Sequence, residues 1–451
     1  MTFSPLRGFQ DYPPPDAGAR SAIFERMRAS ARSCGFTELE TPSVESLELF
    51  RVKSGEEIAR ELWAFTDKGG REVTLVAETT PSLARVFVER AKAAPQPTKW
   101  FTLSKLWRYE EPQAGRTREF SQFNLDILGA GGVEAEVELL GAAARVLDSA
   151  GATGLYDFRV NDRELAEGLA RSLGATDLPG FFRALDRSLK SSPNELATAL
   201  AEAGLSGEAI ERLRGDLASF GDGIPAAEAA GILDGWLARG LPDPGPSGAR
   251  RLRRLFDLLA STPVRDRVRL DIRTIRGLAY YTSTVFEAFG RRGERRAILG
   301  GGRYDGLIEL FGGPPTPAVG LAIGDQTLEL LLRSNGRWPT QDPSIDTYVV
   351  AVTPEQVPIA FEVVEALRSA GISADLDLMQ RTLPRQMREA ARRGARRAVL
   401  VGPKELERGM LVERDLTTGA QREIPRGSIG GPDAPGGPRG PGASAPPPGP
   451  A

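Results

Sequence analysis

The chain has 451 residues, enough for two to four domains with sizeable cores. Its 58 basic and 60 acidic side chains nearly cancel, so any nucleic-acid contact comes from local patches and not from a global positive charge. Cys34 is the single cysteine and there is no histidine, which excludes an internal disulfide, a Cys-rich zinc site, His-ligated metals and an imidazole base. One cysteine fits a reducing, cytoplasmic setting. Residues 1–20 lack the basic-then-apolar pattern of a signal peptide, and no apolar run is long enough to span a membrane. The missing histidine has two readings, compositional chance in an Arg-, Ala- and Gly-rich proteome or selection, and both stay open here.

Residues 6–15 read as extended and proline-rich. A helix is predicted over Asp16–Ser33, with Asp16 as N-cap and Ile23, Phe24 and Met27 as its apolar stripe. Gly35 stops it, and Phe36 to Thr41 alternates as a strand ending at Pro42. Glu72 to Val76 is a further strand, leading into Ala77-Glu78-Thr79-Thr80-Pro81-Ser82 and a helix from about Ser82 to Lys92. Taken alone, Glu-Thr-Thr-Pro is an ordinary helix start, although a carboxylate and two hydroxyls also suit a cation.

Trp107 to Asp126 carries the densest chemistry. It reads as two strands joined by a polar loop that is broken by Pro112 and Gly115. Side chains alternate faces along a strand, so Arg108 and Glu110 share one face of the first strand, and Phe120, Gln122 and Asp126 one face of the second. Charges are rarely buried unpaired, and a solvated face is the ordinary outcome. Here the loop adds Arg116 beside Gly115, a phosphate contact by chemistry. An aromatic ring beside a cation and a carboxylate suits a nucleotide joined to a small zwitterion. Phe120 to Asp126 spans roughly 20 Å at strand rise, about the length of an aminoacyl-adenylate.

A helix from Val133 to Ala150 and a strand from Phe158 to Asn161 follow. Asp162 to about Ser261 is amphipathic helix broken at Pro179, Pro225 and Pro242–Pro246. Val268–Ile275 and Thr282–Phe289 read as strands that flank Arg276, Tyr280 and Tyr281. The glycine run 300–302 lets backbone approach a ligand closely, but no Gly-Lys-Ser/Thr follows, so it is not a Walker loop. Ala318–Gly324 is a strand, then a helix runs to Leu332. After a linker at 335–345, strands Asp346–Val352, Ile372–Leu378 and Ala398–Val401 alternate with helices Ile359–Ala370 and Leu383–Arg393. That order predicts a parallel sheet with right-handed crossovers. Arg385, Arg388 and Arg392 share a helical face. Met410–Ile424 is a hairpin around Thr418-Gly419, and 427–451 has the Gly/Pro-rich composition of disorder.

The Trp107–Asp126 stretch resembles motif 2 of class II aminoacyl-tRNA synthetases, in the histidyl-tRNA synthetase form. Arg276-Gly277-Leu278-Ala279-Tyr280-Tyr281-Thr282 with Thr284-Val285-Phe286-Glu287, and Gly300-Gly301-Gly302-Arg303-Tyr304-Asp305-Gly306, resemble segments specific to the histidine enzymes. The similarity covers most of residues 5–426. It implies an α+β fold, with an antiparallel sheet and flanking helices in the catalytic domain. That core occupies 1–160 and 265–335, interrupted by a helical insertion at 161–264 and followed by an α/β anticodon-binding domain at 342–426 and a disordered tail. The helix–strand–proline opening resembles motif 1, the homodimer interface of the family. The implied activity joins L-histidine to tRNA(His) with ATP and Mg²⁺, with metal-holding residues unassigned.

By this resemblance, Arg108 and Arg276 are catalytic, binding the α-phosphate and the histidine carboxylate. Glu110 and Arg116 hold ATP and Phe120 stacks adenine. Glu78, Thr79, Thr80 and Gln122 take the α-ammonium. Asp126 and Tyr281 read the imidazole edge, with Tyr280 and Tyr304 lining its pocket. The chain departs from the family pattern at Asp325-Gln326-Thr327, where Thr327 stands in place of the motif 3 arginine that binds the ATP γ-phosphate. Arg116, Arg303 and Mg²⁺ are the available substitutes, and Asp325 is either a metal contact or an N-cap. Ala279 and Asp126 resemble archaeal-type variation. Two rival readings are a non-catalytic paralogue, acting as the histidine-sensing regulatory subunit of ATP phosphoribosyltransferase, and a plain RNA-binding module.

Overall fold

The computed structural model describes residues 3–54, 61–188, 191–275, 281–293, 296–339 and 345–429. The chain forms two compact units, Met1–Pro339 and Thr340–Ala451. The first opens with α1 (Asp16–Ser33) and β1 (Thr37–Glu38), then β2 (Val44–Ser46), α2 (Leu47–Ser54), β3 (Ala64–Thr66), β4 (Glu72–Leu75) and α3 (Thr80–Arg90). The long hairpin of β5 (Thr98–Trp107) and β6 (Glu119–Leu128) follows, then α4 (Glu134–Leu147) and β7 (Tyr156–Asp162). Helices α5 (Arg163–Ser172), α6 (Leu178–Arg187), α7 (Pro193–Glu202) and α8 (Gly207–Phe220), the short β8 (Ile224–Pro225), α9 (Ala226–Ala238) and α10 (Gly245–Leu259) come next. The unit closes with β9 (Val268–Leu270), β10 (Thr284–Gly290), β11 (Leu299–Arg303), α11 (Leu307–Leu310), β12 (Ala318–Gly324) and α12 (Asp325–Ser334).

Nine strands make one sheet in the order β1-β5-β6-β12-β11-β10-β7-β9-β8. The run from β5 to β7 is antiparallel throughout, while β1 pairs parallel to β5 and β9 parallel to β7. Alternation along β6 divides its side chains as period two requires. Phe123, Leu125 and Ile127 are buried in the main core with Ile23, Met27, Leu139 and Leu140 from α1 and α4. Phe101 on β5 stacks on Phe123, with centroids 5.3 Å apart. Phe120, Gln122, Asn124 and Asp126 take the opposite face. Helices α5 to α10 lie between β7 and β9 in sequence, and their apolar side chains join the same core as the sheet.

On the helix side of the sheet sits a buried ion pair. Arg303 at the end of β11 donates from Nε and Nη2 to both carboxylate oxygens of Glu136 in α4, at 2.7 and 2.6 Å. Thr284 at the start of β10 also donates to Glu136, at 3.1 Å. Arg303 is 3% exposed and Glu136 fully buried. This removes Arg303 as a substitute for the motif 3 arginine, because its fork is spent on Glu136, the Ala130 carbonyl and Asp305.

Several local expectations shift. Asp16 does not cap α1, since Pro15 is the N-cap residue and Asp16 instead accepts from Arg333 at 2.7 Å. Arg108 and Glu110 lie past the end of β5, in the loop, although the Arg108 amide still bonds across to Arg118 O at 3.0 Å. Asp325 is not the cap. It opens α12 behind the cap residue Gly324 and binds Arg20 at 2.6 Å. The strand expected from Val268 to Ile275 stops at Leu270. Pro179 begins α6 instead of breaking a helix, as its missing N–H allows in a first turn.

The second unit contains β13 (Thr347–Ala351), α13 (Val357–Ser369), β14 (Ala374–Leu376), α14 (Leu383–Arg392), β15 (Arg397–Val401), α15 (Pro403–Leu406), β16 (Met410–Asp415) and β17 (Gln421–Pro425). Its sheet order is β14-β13-β15-β16-β17. The first three strands are parallel and the last two form the expected hairpin. Val349, Val399 and Val401 pack with Val363, Val364 and Leu367 of α13, while Tyr348, Val350 and Ala398 pack with Ala390 of α14. Most of the predicted tail, 430–451, lies outside the described residues.

Removing one partner of a buried ion pair strands the other charge. Glu136→Ala is therefore expected to destabilise the first unit by roughly 3–5 kcal/mol in urea unfolding. A loss below about 1 kcal/mol, ordinary for a point substitution, would show that the pair is not needed.

Candidate active site

Two adjoining cavities open on the sheet face away from α1 and α4. The smaller, about 290 Å³, is lined by Lys53, Glu78, Thr80, Asn124, Asp126, Tyr281 and Tyr304 among others. The larger, about 650 Å³, is lined by Glu110, Gln113, Arg116, Phe120, Arg296 and Thr327 among others. Arg108, Gln122, Glu287, Gly300 and Ala322 line both, so they mark the junction.

The floor follows from register. Asp126 on β6 lies opposite Gly320 on β12, which lies opposite Gly302 on β11. A side chain at Gly320 would begin 2.0 Å from Asp126 Oδ1 and 2.7 Å from the Tyr304 hydroxyl. At Gly302 it would begin 2.8 Å from the Tyr281 ring. These glycines leave room for two tyrosines and a carboxylate to meet at the closed end of the smaller cavity. The glycine run itself is strand β11, not a loop.

At that end Tyr304 donates its hydroxyl to Asp126 Oδ1. Asp126 is 3% exposed, and burial pushes its carboxyl up to about 7 despite the Tyr304 hydrogen bond and the positive Lys53. Burial also raises the Tyr281 phenol, helped by the negative Glu78 and Asp126. The pair can therefore take a ring N–H at Asp126 with Tyr281 beside it. In the same cavity Lys53 Nζ binds Glu78 at 2.6 Å. Burial works against the Glu78 charge, but Lys53 and Arg108 outweigh it and hold the carboxyl below its usual range.

At the junction Arg108 donates from Nε to the Ala77 carbonyl at 3.0 Å and lies over the Phe120 ring at 5.2 Å. This anchor leaves its terminal nitrogens for a ligand, with the Glu110 carboxylate 4.0 Å from Nη1. In the larger cavity Arg116 pairs with Glu110. The loop between the strands closes on itself through Gln113 N–H to Arg116 O at 3.0 Å and Arg116 N–H to Gln113 O at 2.8 Å. Gly115 supplies the left-handed φ of +71° that this turn needs.

The structure thus brings Glu78, Thr80, Arg108, Glu110, Arg116, Phe120, Gln122, Asp126, Tyr281 and Tyr304 to one continuous site. Thr79 is not in the cavity wall. It precedes α3 and is 1% exposed, with its hydroxyl unpartnered by protein. Arg276 and Tyr280 lie outside the described residues. Lys53, Asn124, Glu287 and Arg296 were missed. Asn124 was accessible from the sequence, because it shares the alternation of Gln122 and Asp126. No spacing singled out Lys53 or Arg296. Among the described residues no three Asp, Glu or Cys side chains gather in a metal-holding group.

A family model described as histidyl-tRNA synthetase matches residues 8–328. The chain belongs to the histidyl-tRNA synthetase family. A second model, the anticodon binding domain, matches residues 346–430. The histidine–tRNA ligase of Thermoplasma volcanium is 38% identical over 433 residues, covering 95% of this chain and 98% of that protein. That of Pyrococcus furiosus is 38% identical over 425 residues, covering 93% and 96%. Among solved structures, histidyl-tRNA synthetase from Nostoc sp. PCC 7120 superposes with a TM-score of 0.82 at 24% identity, covering 94% of this chain and 97% of that one. A Bacillus halodurans protein titled ATP phosphoribosyltransferase regulatory subunit/histidyl-tRNA synthetase superposes at 0.71 and 21% identity, covering 86% and 96%. The last two likenesses bear on fold alone. The α+β synthetase fold is thus the one expected, and archaeal histidine–tRNA ligases stand among the relatives, as the archaeal-like resemblance implied.

Asp126 yields a signed pH prediction. An unfolded aspartate titrates near 4, and the folded one near 7. Between those values the folded state binds the extra proton, so its stability falls as pH rises through the window. Asp126→Asn keeps the acceptor for Tyr304 and removes the charge. It should raise the melting temperature at pH 8, leave it unchanged at pH 4, and weaken histidine binding far more than ATP binding. Equal melting temperatures at pH 8 would mean that the carboxylate carries no burial penalty.

Proposed function

We propose that the chain activates L-histidine with ATP and transfers it to the 3′ end of tRNA(His). The observation that carries this reading is the junction of the two cavities at Arg108. The smaller cavity has an Asp126–Tyr304 pair at its closed end and Glu78 nearer the junction. These suit an imidazole N–H and an α-ammonium. The larger has a ring, Phe120, and the loop arginine Arg116. These suit adenine and phosphates. A histidine and an ATP seated this way meet carboxylate to α-phosphate beside the Arg108 guanidinium.

In the first step a histidine carboxylate oxygen attacks the α-phosphorus. A new P–O bond forms, the bond to the bridging oxygen breaks, and pyrophosphate leaves with that electron pair. Arg108 is proposed to stabilise the charge developing at phosphorus, with Arg276 as its partner. Positioning and electrostatics dominate such chemistry, so a chain without histidine can perform it. In the second step the terminal adenosine hydroxyl attacks the carbonyl carbon, its proton passes to a phosphate oxygen, and AMP leaves. Mg²⁺ bound with the nucleotide would supply charge neutralisation at the phosphates. Glu110 and Glu287, which face the larger cavity, would be the carboxylates available to it.

Asp126 accepting from the ring also explains selection. An analogue without the N–H would leave a buried carboxylate unpaired. Gln122, Thr80 and Glu78 are proposed for the α-ammonium, with Lys53 as the protein cation that holds Glu78 ionised. The second unit is proposed to read the anticodon. Arg385 and Arg388 on α14 are exposed, while Arg392 is partly occupied by Glu389 at 2.6 Å. A homodimer through α1 and β1 and a cytoplasmic location are proposed on the motif 1 resemblance and on the reaction's need for ATP and tRNA. No helix of the described residues is long and apolar enough to cross a membrane.

The unaltered chain is expected to catalyse ATP–pyrophosphate exchange that depends on histidine. Exchange without histidine dependence, or none, would favour the regulatory paralogue. A truncation at Pro339 should keep the exchange and lose efficient charging. Loss of exchange in a folded truncation would overturn the division of labour between the units.

A further inference from the structure

We propose that Arg296, in the segment before β11, is the residue that grips the terminal phosphates of ATP and the departing pyrophosphate. This rests on the function proposed above and assigns one more side chain to it.

The other described cations in or beside the larger cavity already have carboxylate partners. Arg116 is paired with Glu110. Arg20, behind α12, is paired with Asp325 and Glu329. Arg303 is buried on Glu136 on the other side of the sheet. Arg296 differs. It is half-buried in the wall of the larger cavity, and among the described residues its one partner is a neutral amide, Gln113 Oε1 at 2.7 Å. Its positive charge therefore faces the cavity without a counter-charge of its own, although Asp186 and Glu287 also contribute to the wall. A planar guanidinium with free N–H groups is suited to bidentate contact with phosphate.

Its place sets which phosphate it meets. Arg296 lines the larger cavity and not the smaller, whereas Arg108 lines both. Arg296 thus stands away from the α-phosphate junction. The amide that holds it belongs to the closed Gln113–Arg116 turn, so Arg296 and Arg116 are fixed to the same loop. The point where a side chain at Gly115 would begin is 3.6 Å from Arg296 Cδ and 3.6 Å from Thr327 Cγ2. The Arg296 stem and the threonine at the motif 3 position converge there. A guanidinium arriving from β11's side stands where the motif 3 position would otherwise supply one from α12.

The test is calorimetric titration of the full chain with MgATP and with AMP, for the unaltered protein, Arg296→Gln, Arg296→Lys and Arg296→Gln/Thr327→Arg. Arg296→Gln is expected to weaken ATP by roughly 10- to 100-fold, the size of one or two lost charge-assisted hydrogen bonds, and to leave AMP unchanged. Lysine should recover part of the loss. Arginine at 327 should recover most of it, because it reaches the same space. The KM for pyrophosphate in the exchange reaction should rise with the KM for ATP, and the KM for histidine should not. Equal ATP affinity in Arg296→Gln and the unaltered chain overturns the proposal, as does an equal loss of ATP and AMP, which would make Arg296 a loop prop. If Arg296→Gln fails to fold, the ATP-to-AMP affinity ratio of Arg296→Lys decides by the same criterion. Absence of histidine-dependent exchange in a chain whose ATP preference depends on Arg296 would sink the proposed function and leave this assignment standing.

Discussion

The site depends on the buried pairing of Arg303 with Glu136. It ties the end of β11 and the start of β10 to α4 through side chains that see no solvent. Alternation then does the rest. With Arg303 turned inward toward α4, the next side chain, Tyr304, turns to the opposite face and donates to Asp126. A two-charge contact on the helix side of the sheet thus sets the Asp126–Tyr304 end of the cavity on the other. Desolvation makes such a pair a poor source of net stability. The pair does fix one position of a glycine-rich strand that has few side chains of its own.

That poverty of side chains is the second constraint. Gly302 and Gly320 sit opposite one another at the centre of the sheet, and each missing side chain is replaced in space by Tyr281, Tyr304 or Asp126. The polar groups brought there are costly. Asp126 is driven up to about 7 by burial, while Lys53 and Arg108 outweigh burial at Glu78 and hold its carboxyl below the usual range. Asp126 is better satisfied with an N–H-bearing ligand than without one, whereas Glu78 already has its counter-charge in Lys53 at 2.6 Å. Relief of the burial cost at Asp126 is thus expected to contribute to ligand binding.

Much of this was legible in the sequence. Period-two alternation in Phe120–Asp126 separated the site face from the core face, and the β6 side chains fall as that alternation requires. The βαβαβ pattern of the second unit was equally readable, since buried parallel strands are short apolar runs between amphipathic helices. What escaped was everything decided by contacts distant in sequence. Arg303 beside a glycine run looks like a phosphate ligand until the register turns it toward Glu136, 167 residues away. Asp325 looks like a cap until Arg20 takes it. Arg296 carries no motif, and the role proposed for it rests on a neutral partner, Gln113, that only the fold brings to it among the described residues. Asn124 is the one omission that periodicity alone could have prevented.

The most direct measurement is a structure of the full chain with a non-hydrolysable histidyl-adenylate mimic. The imidazole is expected between Asp126 and Tyr281, the phosphate surrogate on Arg108, and the adenine against Phe120. An imidazole bound away from Asp126, or a mimic that fails to bind while the chain remains folded, would contradict the account of the two cavities as one adenylate site.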